Sequence, residues 1–297
     1  MSLNPVPESR AASPPSPKER TPDYSQRVRL IRSRRGLVSL DGAELWRYRE
    51  LFGFLVWRDI LIRYKQTYLG IAWAVIQPLM FMVVFSFVGK IGKFPTHGAP
   101  YPIIALAALL PWQFFSTALA DSSTSLLTSS NLISKVYFPR LIVPSAAVLG
   151  GLVDFSVNFA LFLIMELLFR VPLRPELILL PFFFLYAVLA AFGAGVWFSA
   201  LSVKYRDVKY VVPFLTRIGL YACPVAYLSS VVPARYHLLY SLNPLVGIID
   251  GFRWCALGSD FAPDLTGLAL SFVLTVIAAV TGIAYFRSTE RLFADLI

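Results

Sequence analysis

Polar residues set inside long apolar runs are where this chain could do chemistry. Asp154 and Asn158 lie four apart, which puts both on one helical face, and Gly150 and Gly151 one turn earlier let that face approach another helix closely. The pair suits either a hydrogen bond between helices or contact with a polar substrate. Arg217, inside an apolar run of its own, either lines a path for an anion or snorkels toward the inner surface. Glu166 and Arg170 have the spacing of a local ion pair. Tryptophans such as Trp73 and Trp112 and tyrosines such as Tyr221 fit interface anchoring, and the same rings offer flat faces to the CH-rich side of a pyranose. Trp73, Trp112, Asp154, Asn158, Arg217 and Tyr221 are therefore candidates for a substrate path.

Catalytic chemistry lacks its parts. There is no G-x-x-x-x-G-K-[ST]: the Gly-Lys pairs, Gly89-Lys90 and Gly92-Lys93, are followed by Ile and Phe, so no P-loop holds nucleotide phosphates here. Gly193-Ala194-Gly195 sits in the middle of an apolar run and reads as a close-packing patch. The two histidines, His97 and His237, fall in connections, no G-x-S-x-G is present, and Asp121, Asp154, Asp207 and Asp250 are scattered. Cys223 and Cys255 have no partner Cys or His at ligand spacing, which leaves them as small hydrophobes and offers no metal site. The expectation is a protein that is not an enzyme and carries no cofactor.

The elements that must position these residues follow from composition. At 297 residues, 57% hydrophobic, 15% charged and a mean hydropathy of +0.65, the chain does not fit a water-soluble core. Six runs are long enough to cross about 30 Å of hydrocarbon as helices: residues 69–89, 101–120, 141–169, 177–203, 211–230 and 265–286. The fold expected is an all-α integral membrane protein. Residues 1–36, rich in Pro, Ser and Arg, read as a disordered tail without a signal peptide, whose Arg cluster suits anionic lipid better than nucleic acid. Residues 40–68 read as an amphipathic helix lying at the interface, because a span there would carry Arg58 and Asp59 into hydrocarbon.

Of the 27 Lys and Arg, 13 precede residue 66. Alternate connections then hold 20 on the side of the N-terminus and six on the other, which puts both termini in the cytoplasm, with residues 288–297 as a short tail. Between 231 and 264, Pro233, Asn243, Pro244, Gly247, Gly251, Gly258 and Pro263 break the chain, so short re-entrant or interfacial helices are expected on the outer side between spans five and six. The connection DSSTSLLTSSNLISKVYFPR, 121–140, opens with Ser and Thr. Leu126, Leu127, Ile133 and Val136 give it a stripe suited to the groove of a soluble partner.

Taken together, several stretches make the chain resemble the membrane subunits of ABC-2-type polysaccharide exporters, among them O-antigen, teichoic acid and capsule export permeases. They are RDILIRYKQTYLGIAWAVIQPLMFMVVFSFV at 58–88, PYPIIALAALLPWQFFSTAL at 100–119, SNLISKVYFPRLIVP at 130–144, KYRDVKYVVPF at 204–214 and SLNPLVGIIDGFR at 241–253. The resemblance reaches across most of 45–290 and leaves out the Pro-rich tail.

It implies a homodimer of six-span subunits over residues 69–287 in the bacterial cytoplasmic (inner) membrane, joined to two copies of a separate ATPase that carries the ATP and Mg. The cargo implied is a lipid-linked polysaccharide, as in O-antigen export for lipopolysaccharide biosynthesis. It further implies that 125–140 acts as a coupling helix, with Ser125, Asn131, Lys135, Tyr137, Phe138 and Arg140, and with Arg58, Arg63 and Lys65 against the ATPase or headgroups. The segment around 234–257, with Tyr236, Asn243, Pro244 and Arg253, is implied to act as an outer gate. Two other readings stand beside it: an ABC-2 exporter of a smaller lipid or drug, and a nucleotide-independent channel or scramblase.

Overall fold

The computed structural model describes residues 46–65, 70–172, 174–290 and 293. Expectations for the tail 1–36, for both ends of the interface helix 40–68 and for most of 288–297 lie outside the described residues. Every regular element among the described residues is helical.

Among the described residues five helices are long and apolar enough to cross a membrane: Ala72–Gly92, Tyr101–Thr128, Ile142–Leu168, Pro175–Lys204 and Leu265–Thr289. They belong to α2 (Gly70–Gly92), α3 (Tyr101–Thr128), the pair α5 (Ile142–Gly150) and α6 (Leu152–Leu168), α7 (Leu180–Lys204) and α11 (Leu265–Thr289). Before them runs α1 (Arg49–Lys65), and after α3 comes the short α4 (Ser130–Lys135). α8 (Val208–Ala222), α9 (His237–Tyr240) and α10 (Pro244–Leu257) are the other α-helices among the described residues, with short 3-10 turns after α8 and α10 and one, Pro175–Leu179, leading into α7.

The fifth expected span, 211–230, is not one continuous helix. α8 has 15 residues, about 22 Å at 1.5 Å per residue, which falls short of about 30 Å of hydrocarbon. It stops because Pro224 forces the preceding Cys223 into extended backbone, φ −90° and ψ 156°. The second expected span errs the other way: 101–120 runs on to Thr128, two turns into the segment read as a connection. Its Ser and Thr side chains satisfy themselves against the helix, Ser123 Oγ donating to the Ala120 carbonyl at 2.7 Å and Ser125 Oγ to the Ser122 carbonyl at 2.7 Å.

α3 is the central post. In its apolar window 72% of residues are buried inside the chain, against 22% for α2. α7 packs along α3 and α11 along α7. The second packing depends on glycine: a Cβ on Gly193 would stand 2.8 Å from the Ala279 backbone, and one on Gly282 would stand 2.7 Å from the Gly193 carbonyl. The close-packing role expected for Gly193 is thus met, and Gly195 repeats it against Ser122 of α3. Backbone cannot yield as a side chain can, so Gly193→Val is expected to destabilise the bundle by about 1–3 kcal/mol through overpacking. Gly53→Ala, where a Cβ meets nothing within 4 Å and helix propensity favours Ala by about 0.5–1 kcal/mol, is the control that does not lower the thermal midpoint in detergent.

Two separate apolar cores occupy the two ends of α3. One gathers Ile103–Leu110 side chains with Phe155, Phe183, Ile248, Phe252 and Cys223. The other joins Leu55 of α1, Leu126 of α3, Ile133 of α4, Phe138, Ile142 of α5, Val203 of α7, Phe286 of α11 and Phe293. The first described helix and the last described residue therefore meet at the same end of the bundle.

Candidate functional site

α1 turns Leu51, Phe52, Leu55 and Val56 onto the second core and leaves Phe54, Trp57, Leu61 and Ile62 exposed. The inward face also carries charge. Arg63 donates from Nη2 to Asp121 of α3 and from Nη1 to Asp154 of α6, and the Tyr64 hydroxyl donates to the other Asp154 oxygen. One guanidinium fork thus ties three helices that are far apart in sequence. Burial works against the charge on Arg63, and Asp121 and Asp154 more than offset it, so its pKa is raised. The sequence reading sent Arg63 outward to an ATPase or headgroups, whereas the structure turns it inward, because two carboxylates wait on the faces of α3 and α6 that α1 covers.

A cavity of about 350 Å³ opens beside this cluster, between α1, α2, α3 and α6. Of the substrate-path candidates, Trp73, Asp154 and Asn158 line it. Trp112 does not: it is buried in the first core and covers Gly219 of α8. Arg217 and Tyr221 are exposed on α8 and do not line it either. Asp121, Tyr64, Gln77 and Gln113 belong to the site and were not singled out in sequence. Nothing in local spacing links Arg63 to Asp154, which are 91 residues apart.

The segment expected to contact an ATPase divides sharply. Asn131, Lys135 and Tyr137 are exposed, Tyr137 at 81%, while Ser125 and Phe138 are buried beneath them. Arg140 reaches back to donate to the Glu290 carbonyl at 2.6 Å and lies over the Phe293 ring. Arg58 pairs with Asp59 at 2.8 Å and donates to Ser129 Oγ at 3.3 Å, at the junction of α3 and α4. Lys65 is exposed. This segment is a small polar and aromatic knob seated on the second core, and α1 is bonded to its base.

At the opposite end of α3, α10 is mostly buried. Asn243 caps it, accepting from Leu245 N at 3.1 Å, and Pro244 occupies its first turn, so both have a local structural task. Arg253 is 1% exposed and donates to the carbonyls of Val225 and Tyr227 at 2.9 Å each and of Ile104 at 3.4 Å. Asp250 is 3.9 Å away and accepts from Ser229 Oγ at 2.5 Å. Burial lowers the Arg253 pKa and raises that of Asp250, each partly opposed by the other. Arg253 thereby sews the irregular stretch after α8 to α3 and α10. Tyr236 stands half exposed at the surface of this region, beneath the Arg235 guanidinium. The expected Glu166–Arg170 pair is not formed. α6 ends at Leu168, Arg170 turns away in a left-handed conformation at φ 54°, and both Glu166 carboxyl oxygens are buried with no hydrogen-bond partner among the described residues.

Comparison with known proteins agrees with this architecture. The chain is similar to the O-antigen export system permease protein RfbA of Klebsiella pneumoniae, 25% identical over 243 residues that cover 81% of this chain and 92% of that one. It is also similar to the O-antigen export system permease protein RfbA of Myxococcus xanthus, 25% identical over 257 residues, 86% of this chain and 98% of the relative. The polysialic acid transport protein KpsM of Escherichia coli is 20% identical over 241 residues, 79% of this chain and 91% of the relative. The profile of the ABC-2 type transporter family matches residues 50–257, from the start of α1 through the end of α10, and the chain belongs to that family of membrane transporters.

Proposed function

We propose that this chain is the permease subunit of an ATP-driven exporter that moves a lipid-linked, O-antigen-like polysaccharide across the bacterial cytoplasmic membrane. It works as a homodimer with two copies of a cytoplasmic ATPase, which bind the ATP and Mg that this chain does not. The observation that carries this reading is the knob 129–140. Its exposed side chains rest on a core shared by α1, α3, α5, α7 and α11, so a push on Tyr137 or Lys135 reaches all five helices at once. The similarity to O-antigen and polysialic acid transport proteins supports a polysaccharide cargo.

Six crossings fit a core that α1 and Phe293 share. Leu55 and Phe293 belong to one core, which supports an even number of passages between α1 and the C-terminus. Five long helices then need a sixth, and α8 together with the extended stretch after it supplies it. α9 and α10 become the re-entrant outer segment, where Tyr236 and the stretch held by Arg253 form the gate, and α1 lies at the inner interface with its exposed aromatic face in lipid. Both termini are then cytoplasmic. α2 and α8, whose apolar faces are the least covered within one chain, are where the second copy meets the first.

The test uses surface substitutions, since Ser122, Ser123, Ser125 and Leu126 are buried and deleting them would unfold α3. Lys135→Glu combined with Tyr137→Ala is expected to reduce recovery of the co-expressed ATPase by at least about tenfold, as for loss of an interface hot spot. The thermal midpoint of the permease should stay put. Full recovery of the ATPase and unchanged polysaccharide at the cell surface would overturn the assignment. Passive flux through the purified chain alone would instead favour a channel or scramblase.

A further inference from the structure

The cavity beside Arg63 has a chemistry that narrows what it can hold. Its formally charged lining is one guanidinium against the two carboxylates Asp121 and Asp154, so the balance is negative and the guanidinium fork is already occupied by carboxylate oxygens. A phosphate entering here would meet net repulsion. What the site does offer is unspent neutral hydrogen bonding. Asn158 is 9% exposed, and its Oδ1 is buried with no partner among the described residues. Gln113 Nε2, on α3 in the same lining, is likewise buried without a partner among the described residues. Buried polar atoms are nearly always satisfied, and leaving one bare costs about 1–3 kcal/mol. An unpaired acceptor and an unpaired donor in the lining of one cavity therefore point to a ligand that supplies both a donor and an acceptor, which a hydroxyl does. The remaining walls include the Trp73 ring, 56% exposed, and Phe155, flat apolar faces of the kind that pack on the CH side of a sugar. The volume, about 350 Å³, lies at the lower end of the roughly 300–1,000 Å³ range of small-molecule sites.

We infer that this cavity is a saccharide subsite that takes one neutral, hydroxyl-rich sugar ring, with Gln113 donating to one hydroxyl, Asn158 accepting from another and Trp73 against the ring, and that it excludes the phosphate of a lipid carrier. The inference rests on the export reading for its source of sugar, but it concerns a site wholly within one chain. A neutral glycolipid headgroup and the sugar of a lipid-linked glycan share this chemistry, whereas a phosphoglycerol headgroup has hydroxyls without a neutral character.

The test places a reporter in the cavity wall. Ser116→Cys in the full chain, reconstituted in nanodiscs, is read by maleimide labelling, against the low background of the buried Cys223 and Cys255. Glucosyl diacylglycerol is expected to slow labelling at least about fivefold, and phosphatidylglycerol with the same acyl chains is not. Asn158→Leu added to Ser116→Cys should abolish the protection while leaving the thermal midpoint and copurification of the ATPase intact. A midpoint that collapsed in Asn158→Leu would shift the test to Gln113→Leu, where the same loss is expected. Equal protection by phosphatidylglycerol would overturn the exclusion of anionic groups, and protection by neither lipid, or protection that survives both substitutions, would overturn the subsite. Since ATPase recovery is scored on the same samples, a failed subsite with the ATPase still bound is distinguishable from failure of the export reading.

Discussion

Arg253→Met is expected to loosen the stretch after α8 and to unlatch α10 from α3. The guanidinium is fully buried, and three backbone carbonyls depend on it: Val225, Tyr227 and Ile104. Methionine fills much of the space without a donor, so those carbonyls lose their partner and Asp250 loses its nearest cation. Removing one member of a buried charged network destabilises by roughly 3–5 kcal/mol. The readout is local. Cys223 is 1% exposed and accepts from Asn243 Nδ2 at 3.1 Å, so it should become reactive to maleimide in Arg253→Met while remaining protected in the parent chain. Arg253→Lys should not restore protection, because one ammonium on a flexible stem cannot serve three carbonyls spread over two elements. A protected Cys223 and an unmoved thermal midpoint in Arg253→Met would show that apolar packing of α10 alone holds this region.

The same residue shows how far sequence could go. Arg253 was placed in the gate segment through family resemblance, and the breaks at Pro233, Asn243, Pro244 and Gly258 correctly signalled short helices. What spacing could not reveal is that the guanidinium would spend its donors on three backbone carbonyls, with the Asp250 carboxylate further off at 3.9 Å, since backbone acceptors leave no trace in composition. Span existence was legible because about 20 apolar residues have few alternatives in lipid. Span ends were less so. Ser122 to Thr128 read as the start of a connection that could carry a short amphipathic helix of its own, yet the span runs on through it, with hydroxyl side chains bonded back onto the carbonyls of the same helix. In 211–230, apolar length masked Pro224, whose steric effect on Cys223 ends α8. The knob was legible as a segment but not as a surface, because Ser125 and Phe138 differ from Asn131 and Tyr137 only in which neighbours cover them.

Arg63→Met carries the other large effect, and it separates stability from coupling. With Arg63 gone, Asp121 and Asp154 are left in the lining of a shared cavity without the cation that both engage, while the Tyr64 hydroxyl still donates from α1 to Asp154. The side chains are about a quarter exposed for Arg63 and Asp154 and 41% exposed for Asp121, so solvent screens part of the loss. The destabilisation should fall below that of a fully buried network, about 2–3 kcal/mol. Asp154→Asn in the Arg63→Met background removes the repulsion and should recover part of it, giving a coupling energy of about 1–2 kcal/mol in a double-mutant cycle on thermal unfolding. Arg63, Tyr64, Asp121 and Asp154 lie outside the knob 129–140, so the ATPase should still copurify while export falls, because α1 no longer moves with α3 and α6. A cycle with zero coupling would mean that Leu55 and its apolar neighbours alone hold α1, and the route from the surface helix to the cavity would then have to run through the second core instead of through charge.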